Sequence, residues 1–195
     1  MKKLLTVCLA AVMMMGLTAC GAKEEKKTTE EVKESVVVAD SAVEILEKVW
    51  AAHGDDQKFA CAGGDYNNSV MDAPGAFDVA DTESLDAMLG VPKDVAGDID
   101  DAASLMHMMN ANTFTGGVYH LTDSSKQQSF ADALKTNIMN RQWMCGFPDT
   151  LIIVSVGDEY VLSAFGAADI IDTFKTKLLE EYDMAQVMYE ESLAQ

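Results

Sequence analysis

Apolar and polar positions divide the chain into three stretches with different rhythms. Leu4 to Leu17 is an unbroken, uncharged run of 14 residues, short of the roughly 20 that a membrane-spanning helix needs at 1.5 Å per residue. Gly21 to Val38 has no aromatic residue and alternates Glu, Lys and Thr, too polar to offset the entropy of ordering it, so it reads as a flexible linker. From Ser41 a helical stripe begins: Ser41 or Asp40 caps it, Val43, Leu46, Val49, Trp50 and His53 share a face, and Gly54 ends it.

Residues 55–82 are turn-rich, with Gly63-Gly64-Asp65, Asn67-Asn68 and Pro74-Gly75 around apolar islands at Phe59 and Phe77. Loops this long in a domain are often functional. A short helix is predicted over Thr82–Leu89, stopped by Gly90 and Pro92, with a brief turn around Lys93 to Ala96. Ala103 to Met109 fits strand or helix, and Gly117–Leu121 fits a strand. A helix follows from Ser124 or Ser125 to about Arg141, with Phe130, Leu134 and Ile138 at helical spacing. Leu151–Val156 is a buried-type strand, Gly157-Asp158 a two-residue hairpin turn and Tyr160–Phe165 its partner. A long helix carrying Ile170 or Ile171, Phe174, Leu178 and Tyr182 closes the pattern. Hairpins followed by helices predict an α+β domain, an antiparallel sheet with helices packed on one face. The two strand-strand-helix units hint at an internal duplication, although their residues do not match well.

The first stretch has the anatomy of a secretory signal, with Lys2 and Lys3 before the apolar run and small residues after it. Leu17-Thr18-Ala19-Cys20, followed by Gly21, resembles the lipobox of bacterial lipoproteins. That resemblance implies cleavage after residue 19 and a diacylglyceryl group on Cys20. The expected organisation is a signal peptide over 1–19, the lipidated Cys20 and charged linker over 20–39, and a single domain over 40–195. Two acyl chains, at about 0.8 kcal/mol per buried CH₂, give stable attachment without a spanning helix. The expected address is thus the cell membrane, facing outside the cytoplasm.

Charge narrows the partners. The chain carries 14 Lys+Arg against 32 Asp+Glu, a formal charge of −18, which argues against a nucleic-acid backbone as partner. Loss of residues 1–19 removes two Lys and leaves −20, so the domain should stand off an anionic bilayer.

No catalytic pattern emerges: GxSxG, HExxH, the Walker loop and the Rossmann glycines are all missing. Leu105-Met106-His107-Met108-Met109 offers soft ligands for Cu(I), but on a strand Met106 and Met108 face away from His107 and Met109, and methionine as core filler is the better account. Asp98, Asp100 and Asp101 begin like a calcium loop, yet Ala103 and Met109 stand where that loop needs Gly and Glu. Cys61 and Cys145 are the thiols left after processing. Export allows a disulfide between them, worth roughly 4–5 kcal/mol in the chain-entropy model, and a reducing habitat leaves both free. Arg141, the sole arginine, precedes Trp143 and Phe147; it either clamps a carboxylate in an apolar cleft or complements its own helix dipole. The loop from Trp143 to Pro148 and the one holding Tyr66, Asn67 and Asn68 are the candidate binding surface.

The stretch from Ala103 to Tyr182, with Asn140-Arg141-Gln142 ending a helix and Gly157-Asp158-Glu159-Tyr160-Val161 after an apolar strand, resembles a small lipoprotein domain of unknown function from Gram-positive bacteria. The resemblance implies an extracytoplasmic address and an α+β fold, and supplies no reaction or ligand. The expectation is therefore a membrane-anchored, non-enzymatic binding or interaction module without cofactor or metal, acting on a protein, peptide or small molecule. The alternative is an envelope metal-binding or thiol-redox accessory factor.

Overall fold

Eight strands join in one antiparallel sheet in the computed structural model, which describes residues 38–144 and 146–193. These lie within one compact unit, Ser35–Gln195. The expected signal peptide, Cys20, most of the expected linker and Cys145 fall outside the described residues.

Helix α1 (Ala42–Ala51) starts where Ser41 Oγ accepts the Glu44 amide at 3.3 Å and the Asp40 amide donates to the Glu44 carboxylate at 2.8 Å, two donors satisfied at the helix start. Strands β1 (Cys61–Gly63), β2 (Val70–Met71) and β3 (Gly75–Ala76) are folded from the turn-rich stretch. One turn of helix, α2 (Thr82–Ser84), is capped by Asp81 and widens into a π turn over Leu85–Leu89. Gly90 ends it at φ 77°, a left-handed conformation suited to glycine. Then come β4 (Ile99–His107), β5 (Phe114–Leu121), α3 (Gln127–Met139), β6 (Thr150–Val156), β7 (Tyr160–Gly166), α4 (Ala168–Glu181) and β8 (Ala185–Ser192). The sheet order is β2-β1-β4-β5-β7-β6-β8, with β3 also paired to β4.

The α+β class and the antiparallel sheet match the hairpin pattern, while the helices cover both faces. Ile152, Val154, Val156, Leu162 and Ala164 pack with α1 and α4; Leu151, Ile153, Val161 and Phe165 pack with the π turn and α3. The apolar run Leu151–Val154 within β6 is the signature of a strand buried on two sides. α3 and α4 lie on opposite faces, and a two-fold rotation exchanging the antiparallel neighbours β5 and β7 would keep them on one. The two strand-strand-helix units are therefore not related by such a rotation.

Two local expectations change. The β6–β7 connection is three residues, since Val156 pairs with Tyr160. The chain continues past α4 into β8, an edge strand whose pairing to β6 slips between Ile153 and Val154 and leaves Met188 as a bulge. That slip breaks the period-two pattern by which the strand would have been recognised. Among the described residues no helix is long and apolar enough to cross a membrane.

Candidate functional site

Directly paired residues point to the same face of a sheet. Ala62 pairs with Met106, Met106 with Thr115, and Thr115 with Phe165. These four form one row across β1, β4, β5 and β7, on the face that carries the π turn and α3. Because the π turn ends at Leu89 and α3 at Met139, neither covers this row, and it becomes the floor of a cleft.

The row behind it is small: Ser104, Gly117 and Ser163. The Tyr119 ring leans over Gly117, where a Cβ would overlap its hydroxyl. That hydroxyl is fully buried, hydrogen-bonds Ser163 Oγ at 3.1 Å and reaches the Leu89 carbonyl at 3.5 Å. The space behind the floor is thereby filled, and the π turn is tied to the sheet.

The walls are Ala87 and Met88 from the π turn, the Arg141–Met144 segment after α3, the β4–β5 turn and Tyr66. They enclose about 580 Å³, within the range of small-molecule sites. Asn112 Nδ2 donates to the carbonyls of Met144 and Gly146 at 3.0 and 2.9 Å, joining two of the walls. Trp143 packs on Phe165 with ring centroids 5.1 Å apart, and the Arg141 guanidinium lies 5.4 Å from the Trp143 ring centre. Arg141 Nη2 donates to the carbonyls of Asp86 and Ala87, and burial lowers its pKa from the ordinary guanidinium value.

The lining chemistry is unusual for this chain. Among the described residues 17 line the cleft and none of them is Asp or Glu, although the chain has 32 acids. Five methionines, Met88, Met106, Met108, Met109 and Met144, line the cleft, and Tyr66, Met109 and Met144 are 76%, 82% and 81% exposed. Large apolar groups left in water in one place mark a binding surface more often than chance packing.

Tyr66, Arg141 and Trp143, proposed from sequence as one surface, do line one cleft. Asn67, Asn68 and Phe147 do not. Asp65, buried, accepts the amides of Asn67, Asn68 and Asp78 at 2.7, 2.9 and 3.0 Å and the Asn68 side chain at 3.1 Å, so Asn68 serves the loop's own fold. Arg141 reaches across to the π turn rather than to the end of its own helix. Met109 enters the cleft because β4 ends at His107 and the chain turns there, which strand alternation does not foresee. Ala87 and Met88, on the π turn, carry no sequence signal, and Thr115 and Phe165 meet only through strand register.

The remaining candidates are held in structural roles. Cys61 is a free thiol buried under α1, and burial pushes its pKa up to about 11. The expected disulfide with Cys145 falls on a residue outside those described. His107 is the cross-strand neighbour of Cys61, yet its ring stacks on Phe59 and its Nδ1 accepts the amides of Met109 and Asn110. His53 is buried, and its ring hydrogen-bonds the Val49 carbonyl at 2.8 Å; desolvation lowers its pKa. Asp98 pairs with Lys126, Asp100 with His120, and Asp101 accepts the Ala42 amide at the start of α1. Among the described residues no group of three or more His, Cys, Asp or Glu is placed to hold a metal.

Comparison of the chain with protein-family models, curated proteins and solved structures finds no match. The functional reading therefore rests on the residues themselves.

Proposed function

We propose that this protein is a lipid-anchored extracytoplasmic binding module, not an enzyme, that holds an apolar guest in the methionine-lined cleft. The observation that carries the binding role is the cleft: an open apolar hollow, lined by no acid among the described residues, in a strongly acidic chain. The lipobox-like Leu17–Cys20 and the resemblance to a Gram-positive lipoprotein domain support the address. Flexible thioethers suit guests of varied shape. The thiol-redox alternative is disfavoured by Cys61, whose buried, high-pKa thiol is the opposite of a reactive one.

Two measurements test the reading. Mass spectrometry of the N-terminal peptide from membrane fractions should find Cys20 diacylated, and a cytosolic chain that keeps Met1 would contradict the anchor. Fluorescence titration with uncharged N-phenyl-1-naphthylamine should saturate at one equivalent and be lost in Trp143→Ala; no saturable binding would contradict the module. A second reading, capture of a soft ion such as Cu(I), is favoured by the five thioethers. It requires Ag(I) to bind stoichiometrically and to compete with the naphthylamine.

A further inference from the structure

The cleft's chemistry also narrows the class of guest, an inference that rests on the binding role proposed above. We infer that the cleft selects an apolar small molecule bearing one anionic group, such as an aromatic or long-chain carboxylate, and that Arg141 receives that group.

Three observations carry this. First, among the described residues no acidic side chain lines the cleft, although acids are the commonest charged groups of the chain. A cationic guest would be desolvated there without a counter-charge, which is costly. Second, Arg141 is half-buried and forms no ion pair among the described residues, whereas the ion pairs that do form all use Lys or His. Asp86, the acid whose field reaches it, instead accepts the Asn137 amide at 2.8 Å. A half-buried cation without a counter-ion is a site whose desolvation an anion offsets. Third, the guanidinium is held in place at the cleft wall. Nη2 is fixed by two carbonyls of the π turn and its flank lies by Trp143, while Nη1 and Nε are engaged by no acceptor among the described residues. A fork held in place by its surroundings loses little entropy on binding a carboxylate or sulfonate. The net negative charge of the chain does not prevent this, because exposed charges beyond about 8 Å are largely screened at physiological ionic strength.

The rival account makes Arg141 only a strut for the π turn, and a charge series separates the two. The mature chain carrying Cys20→Ser, free of acyl chains that would compete for the cleft, is titrated with three probes on one ring system. These are 1-anilinonaphthalene-8-sulfonate, uncharged N-phenyl-1-naphthylamine and a trimethylammonium analogue. The sulfonate should bind about tenfold or more tighter than the ammonium probe. Arg141→Gln should weaken the sulfonate about tenfold and leave the uncharged probe within about twofold, while Arg141→Lys keeps much of the anion preference. Equal affinity for sulfonate and ammonium, or equal weakening of charged and uncharged probes by Arg141→Gln, overturns the inference while leaving the binding role intact. Failure of every probe to bind overturns the binding role itself. Near-UV circular dichroism checks that each variant is folded, and the wild-type series with Arg141→Lys decides the matter if Arg141→Gln is not.

Discussion

Gly117→Ala is expected to destabilise the domain through a single contact. In a strand, Ala is ordinarily favoured over Gly by roughly 0.5–1 kcal/mol. Here the added Cβ would overlap the Tyr119 hydroxyl and lie 2.8 Å from its ring carbon Cζ. Moving the ring breaks its buried hydrogen bond to Ser163, about 1 kcal/mol, and overpacking adds about 1–3 kcal/mol, so after the ordinary gain of Ala the net cost is about 1–3.5 kcal/mol. For a domain of this size that is a Tm drop of roughly 2–14 °C. Urea unfolding of a double-mutant cycle measures it. In a Tyr119→Leu background the obstructing ring tip is gone, and Gly117→Ala should become neutral or favourable by about 0.5 kcal/mol. An additive cycle, or a cost below about 0.5 kcal/mol in the wild-type background, would refute the packing argument and with it the account of what closes the cleft from behind.

Two further outcomes are expected. Asp65→Ala should cost about 2 kcal/mol, since buried amides lose a charged acceptor. Burial works to raise the Asp65 pKa, but the Asn68 side chain and the amides of Asn67, Asp78 and Asn68 outweigh it and hold it below the usual carboxylate value. Its stabilising contribution is therefore complete above the unfolded-state pKa of about 4 and is lost as pH falls through the lower folded-state value. Urea midpoints of wild type and variant should converge toward pH 3, and a gap that stays constant there would contradict the network. Cys61 should resist a thiol reagent in the native Cys145→Ser chain at pH 8 and react only on unfolding; rapid native labelling would contradict its burial.

What could be read from the chain follows from where periodicity survives. α1, α3, α4 and the β6–β7 hairpin announce themselves because their buried faces repeat at 3.6 or 2 residues. β1 to β3 do not, being two or three residues long, and β8 is masked by its bulge and its exposure. Tyr66, Arg141 and Trp143 drew notice as a lone cation and aromatics in loops. The floor of the cleft did not, because Ala62, Met106, Thr115 and Phe165 become neighbours only through the registers of four strands. Asn67 and Asn68 resembled binding residues for a reason the fold explains differently: short polar side chains near a glycine pair also build turns.

The central claim, that the cleft is the binding site, can be measured at its own walls. Residues 20–195 hold nine methionines, five of them in the cleft, so ¹³C-methyl methionine spectra of that stretch carry both signal and control. On titration with 1-anilinonaphthalene-8-sulfonate, the methyls of Met88, Met106, Met108, Met109 and Met144 should shift together and saturate, while those of Met139, Met184 and Met188 hold still. Shifts spread evenly over all nine, or confined to methionines outside the cleft, would contradict it.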